Sequence, residues 1–311
     1  MDASGGSWWQ LQCCSDNQLQ SIFVICGYTV LIFKLWRFPL LHPFKILYCL
    51  PPSDDATSCS PSSRTVFLHE LGHALAVWMT CGKVTSMEVH PNEGGVTSYA
   101  GGVALIIVPA GYLGSAVWGM ALVIASPERL ASEIAAGVLI FFLVLFIYYA
   151  KNAYMRWLNA GFIVILGGLI ALDRLVDGGV HALRFVILFM GVMSCLFSIY
   201  DIWDDLIARR INDSDASVFA KMTHTSSRCW GVIWGLFALG TMGGAVYLNL
   251  LVIQHVFPGP SITAIRHLSG ATTAALAVSA TVLGLGVLHT IFTRRCMVRT
   301  GSNQFGYVEA A

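Results

Sequence analysis

Within the run TVFLHELGHALAVWM, His69 and His73 stand four residues apart and Glu70 directly follows the first histidine. Four residues is close to one helical turn, so both imidazoles project from one face of a helix and can grip a single metal ion. A carboxylate beside the first ligand can take a proton from the water that such a metal activates, while the metal polarises a carbonyl for attack. The spacing therefore allows metal-assisted hydrolysis, with zinc as the ion and Glu70 as general base. The residues around the motif are apolar. Two histidines and a glutamate in such a setting are costly unless partnered, which makes a chance match a poor explanation.

A catalytic zinc usually takes three protein ligands and keeps one position open, so a further donor must come from elsewhere in the chain. The nine cysteines, Cys13, Cys14, Cys26, Cys49, Cys59, Cys81, Cys195, Cys229 and Cys296, are scattered and include no CxxC pair. They specify neither a thiolate site nor a disulfide framework, which leaves a carboxylate. In SIYDIWDDLIARR, Asp201 ends an apolar run, Asp205 shares its face at helical spacing and Asp204 is adjacent. The plainer reading of this cluster is an interfacial acidic patch paired with Arg209 and Arg210. Asp177, in RLVDGGVH, is a rival, although Asp-Gly-Gly after a helix is ordinary turn chemistry. Asp201 ranks first, with Asp205, Asp204 and Asp177 behind it.

The elements that must position these residues belong in lipid. Charged residues are 11% and hydrophobic residues 56% of the 311 positions, whereas an ordinary soluble domain is about a quarter charged. Apolar runs at 21–38, 65–81, 101–126, 134–150, 158–172, 183–203, 230–253 and 271–292 predict about eight membrane helices, the fifth cut short by Asp173 and Arg174. A single transmembrane domain over 21–293 is expected, between a polar tail at 1–20 and a C-terminal tail at 294–311. The first tail contains Asp2 and Asp16 but no Lys or Arg. It lacks the basic region of a cleavable signal peptide, so the first apolar run is expected to be retained. A formal net charge of +1 and the absence of a basic stripe argue against nucleic acid as a partner.

Two connections differ from the rest. The polar, Pro- and Ser-rich insert at 50–64 reads as a disordered loop. In KVTSMEVHPNEGGVTSY, residues 83–99, β-branched residues flank a Pro-Asn-Glu-Gly-Gly turn and predict a short β-hairpin. Peptide hydrolysis needs an extended substrate, and strand addition at a sheet edge is a common way to hold one. Gly94, Gly95 and Val96 are the substrate-binding candidates. Glu88, His90 and Glu93 do not make a favoured second metal site, because strand alternation spreads them. Asn159, the one strongly polar residue of its run, reads as a helix-helix hydrogen bond before an oxyanion donor.

The residues VFLHELGHALA, VHPNEGGVTSYAGG, PAGYLGSA and YDIWDD followed by SDAS resemble the site-2 protease family of intramembrane zinc metalloproteases. The likeness is to its compact membrane branch without PDZ or CBS modules, and it spans about 43–215. It implies zinc held by His69, His73 and a distal aspartate, Glu70 as general base, and membrane-embedded proteins as substrates. The departures concern the distal motif: Asp177 keeps an Asp-Gly after Val, and Asp201 has no glycine. A catalytically silent relative that binds client proteins is the alternative, with a metal transporter behind it. The basic residues Lys151, Arg156, Arg209, Arg210, Lys221, Arg228, Arg294, Arg295 and Arg299 share one side if the last five runs all span. The excess of such residues on cytoplasmic loops then predicts a cytoplasmic C-terminus. At the front the parity breaks, since eight spans would put Lys34 and Arg37 outside. Either the first run does not span, or the chain re-enters the membrane near the HELGH helix.

Overall fold

The computed structural model describes residues 11, 15–35, 66–90, 94–151, 153–175, 182–203 and 214–257. Within them the chain is mostly helical. In order come α1 (Asp16–Leu35), α2 (Val66–Met79), the strands β1 (Lys83–His90) and β2 (Gly94–Ala100), and the short α3 (Ala104–Ile107). There follow α4 (Ala110–Ala125), α5 (Arg129–Tyr149), α6 (Ala153–Leu175), α7 (Ala182–Trp203), α8 (Asp215–Thr223) and α9 (Ser227–Val256). The insert at 50–64 and the apolar run at 271–292 lie outside the described residues.

Among the described residues four helices are long and apolar enough to cross a membrane: Arg129–Tyr149, Met155–Leu175, Ala182–Tyr200 and Ser227–Val256. Three of them carry exposed Ile134, Phe141, Val164 and Leu236 on their outer faces, as lipid contact requires, whereas Ala182–Tyr200 is mostly buried inside the bundle. Of the four other expected runs, 271–292 lies outside the described residues, α1 begins in the polar stretch Asp-Asn-Gln-Leu-Gln, and two are shorter as described helices than as sequence. α2 has 14 residues, about 21 Å at ~1.5 Å per residue, against ~30 Å of hydrocarbon. The run at 101–126 is divided at Pro109 into the four-residue α3 and the 16-residue α4, since proline has no N–H to continue the ladder.

α4 lies at the centre and packs against α2, α7 and α9. Small residues make the α4–α7 crossing close: a Cβ on Gly119 would stand 2.7 Å from the backbone nitrogen of Cys195, and one on Gly191 2.8 Å from that of Val123. Hydroxyls then reach the neighbouring backbone, Ser194 Oγ donating to Ser115 O at 2.8 Å and Ser198 Oγ to Tyr112 O at 3.2 Å. At the far end of α4, Asn249 of α9 donates to Val123 O at 2.7 Å and accepts from Ser21 Oγ of α1 at 2.7 Å. α1 runs in the direction of α7, since Gln18 donates to Leu250 O near the end of α9 while the Phe33 ring lies 5.6 Å from that of Tyr200.

The sequence-predicted hairpin is present, with β1 and β2 antiparallel and Met87 opposite Thr97. A bulge between Val84 and Ser86 leaves Thr85 without a partner in the ladder. Val84 and Met87 are an odd number of residues apart, which strict alternation would send to opposite faces; the bulge lets both enter one core with Leu71, Phe146 and Ile187. Ala150, just past α5, bridges to Met87, and Lys151 N donates to Met87 O at 3.3 Å. The hairpin is thereby tied to the α5–α6 turn, at the end of the bundle where α7 finishes and α9 begins.

Candidate metal centre

The first turns of α2 place His69, Glu70 and His73 inside the bundle, with 8%, 2% and 8% exposure. Four-residue spacing brings His69 Nε2 within 3.1 Å of His73 Nε2. α4 closes over them, and its Gly111 is required: a Cβ there would overlap Nε2 of both histidines. Gly72 and Gly114 permit the approach, a Cβ on Gly114 falling 2.9 Å from the Cα of Gly72.

The carboxylate that meets the imidazoles is Asp215, the first residue of α8. Its Oδ2 lies 2.9 Å from His69 Nε2 and 3.1 Å from His73 Nε2. Ser214 caps the helix by accepting from Ser217 N. Aromatic rings hold α8 in place: Phe219 lies 4.6 Å from Trp230 and 5.5 Å from Trp234, Trp234 lies 5.6 Å from Tyr112, and Tyr112 lies 4.8 Å from His69. Trp230 Nε1 donates to Thr225 Oγ1 at 2.6 Å, just beyond the C-terminus of α8. The helix that brings the acid is therefore joined through edge-to-face and tilted rings to the helix that brings the histidines.

The donor set fits a metal. His73 Nδ1 lies 2.7 Å from Ile107 O, and a carbonyl can only accept, so Nδ1 carries the proton and Nε2 presents a lone pair. Buried Asp215 Oδ2 has no hydrogen-bond donor among the described residues, although it faces two ring nitrogens. His73 Nε2, His69 Nε2 and Asp215 Oδ2 thus converge in a buried place, and a cation among them would engage all three. Edges of ~3 Å leave a point ~2 Å from all three atoms, the distance at which zinc takes nitrogen and oxygen ligands. A carboxyl binds a cation as its anion, so Asp215 would hold the ion as a carboxylate.

Glu70 is oriented from the hairpin, where the Thr97 hydroxyl of β2 donates to its Oε2. Gly94, Gly95 and Val96 lie on the same strand, opposite His90, Val89 and Glu88.

Among the described residues His69, His73 and Asp215 form the one cluster suited to a metal. Asp201, ranked first from sequence, belongs to the last turn of α7, and its side chain lies outside the described part. Asp204, Asp205 and Asp177 also lie outside the described residues. Asp215 is not among the carboxylates ranked from sequence; in Ser-Asp-Ala-Ser a helix cap with an acid in the first turn accounts for both residues without a metal. The available signal was the SDAS stretch, already part of the family likeness. Asn159 is buried on α6, its Nδ2 without a hydrogen-bond partner among the described residues.

A family model described as Peptidase M50B-like matches residues 62–245, from just before α2 into α9. No curated protein and no solved structure matches the chain. The matched stretch contains α2, the hairpin, α4 and Asp215, and it is more than half of the 311 residues. The chain accordingly belongs to the Peptidase M50B-like family, of the site-2 protease kind, and is a multi-pass membrane protein.

Proposed function

We propose that the protein is an intramembrane zinc metalloprotease in which His69, His73 and Asp215 hold the ion and Glu70 is the general base. The observation that carries this reading is the buried convergence of His69 Nε2, His73 Nε2 and Asp215 Oδ2 within 3.1 Å of one another, next to a buried glutamate. When bound, zinc supplies the Lewis acidity that polarises a scissile carbonyl and acidifies water. Glu70 takes the proton of the attacking water and delivers it to the leaving amide nitrogen. Thr97 keeps the carboxylate of Glu70 in one orientation. The substrate is a membrane-embedded protein segment, unwound into a strand that adds to the outer edge of β2 at Gly94, Gly95 and Val96. Two features support that edge: Ala150 already pairs with β1, and β2 carries the hydroxyl that touches Glu70.

Orientation belongs to the same proposal. Lys83, Lys151, Arg156, Lys221 and Arg228 lie toward the end of the bundle that carries the site, whereas Arg129, Arg174 and Arg184 lie toward the other. The positive excess supports a cytoplasmic site end, in keeping with the cytoplasmic C-terminus expected from the basic residues of the sequence.

Metal analysis and proteolysis of purified wild type beside Glu70→Gln test the reading together. The expected result is one zinc per chain in both proteins and cleavage of a co-reconstituted transmembrane substrate by wild type alone. Retained cleavage by Glu70→Gln would remove the mechanism. Protein without stoichiometric zinc would favour the silent client-binding relative, and zinc flux into sealed liposomes the transporter.

A further inference from the structure

We propose that Thr97 is a positioning residue for catalysis, linking the strand that receives substrate to the carboxylate that takes the proton. The inference rests on Glu70 being the general base. A glutamate on a helix has three side-chain torsions, and in a site with little water its carboxylate finds few donors. The Thr97 hydroxyl donates to Oε2, which fixes the plane of the carboxylate and leaves Oε1 to accept the proton. Oriented partners of this kind set the geometry on which proton transfer depends.

The strand is itself held at this rung. Thr97 pairs with Met87, whose side chain is fully buried, and Met87 is tied from its other side by Ala150 and by the Lys151 N–H. A chain of contacts therefore runs from the α5–α6 turn through Met87 and Thr97 to Glu70. Val96, a substrate-binding candidate, precedes Thr97 directly on β2. A segment that pairs with this edge must settle the Thr97 backbone, and its hydroxyl transmits that order to the base. The Thr97 hydroxyl touches neither substrate nor metal in this scheme; it acts through Glu70.

The test uses the full chain in detergent with fluorescein-labelled casein, an unfolded model substrate, and compares wild type, Thr97→Val, Thr97→Ser and Glu70→Gln. Valine keeps the shape of threonine and removes the hydroxyl; serine keeps the hydroxyl. Thr97→Val is expected to lower kcat by about 10- to 100-fold, as loss of an oriented outer partner does, with KM within about twofold and zinc still one per chain. Thr97→Ser is expected to return most of the lost rate. Wild-type kcat in Thr97→Val would overturn the proposal. So would a Thr97→Ser protein as impaired as Thr97→Val, or loss of zinc from both, because either outcome assigns Thr97 to packing. A wild type that cleaves casein beside an equally active Glu70→Gln would remove the base reading itself. A wild type that holds zinc and hydrolyses neither casein nor the co-reconstituted transmembrane substrate would remove the protease reading and the Thr97 role with it.

Discussion

At the scale of single residues, the site depends on lone pairs whose directions are set by neighbours. The Ile107 carbonyl decides which nitrogen of His73 is bare, and Asp215 closes a triangle that the two histidines leave open. Asp215→Ala is expected to reduce bound zinc from one per chain to near none, while Asp201→Ala keeps it; metal analysis after dialysis separates the two. Gly111→Ala places a methyl group where both Nε2 atoms converge. It should weaken zinc binding by at least the 10- to 100-fold typical of disturbed ligand surroundings, with helical content unchanged in far-ultraviolet circular dichroism. His69, Glu70 and His73 were legible in the sequence because one helix supplies all three, and helical spacing can be read without knowing the fold. Asp215 was not, since its approach to the histidines depends on how the chain turns back after α7.

At the scale of elements, α8 brings Asp215 to the two histidines without being a membrane helix. Its nine residues are too few to be stable alone, so its placement rests on Phe219, Trp230 and Trp234. Phe219→Ala removes a nearly buried ring from that stack, a loss of about 3–5 kcal/mol for a fully buried phenylalanine. The expected outcome is weaker zinc binding in a competition titration with a chelator, with α4, α7 and α9 still folded. The hairpin was legible at its ends because its turn residues announce it. Its bulge was not: Thr85 leaves the ladder only because Val84 and Met87 both find room in the core, and that room is made by α5 and α6. The break at Pro109 shows the converse, since a single residue type was enough to divide an apolar run that hydropathy alone treats as continuous.

At the scale of the whole molecule, composition announced a membrane protein and did not give the number of crossings. Hydropathy measures how apolar a run is, whereas crossing depends on helix length and direction. α1 running with α7, together with the 14 described residues of α2, accords with re-entry near the HELGH helix as the source of the broken parity. Cys81, just after α2, and Cys229, in the first turn of α9, are both exposed and lie toward the site end. Variants retaining only Cys81 or only Cys229 are expected to react with a membrane-impermeant maleimide from the same face of sealed vesicles. Labelling from opposite faces would contradict the arrangement. The sequon Asn212-Asp213-Ser214 should carry no glycan if that face is cytoplasmic, as a glycosidase mobility shift would show.

The separation of the ligands along the chain also bears on how the protein is made. His69 and His73 leave the ribosome early, whereas Asp215 follows roughly 140 residues later, after α4 to α7. A growing chain therefore carries two histidines and a base but no complete site until its central helices are already in the bilayer. On the proposed function, this order keeps the hydrolase silent while it passes through the insertion machinery, among other unfolded membrane segments that it could cut. Truncation anywhere before Asp215 would leave a product that is inserted and inert.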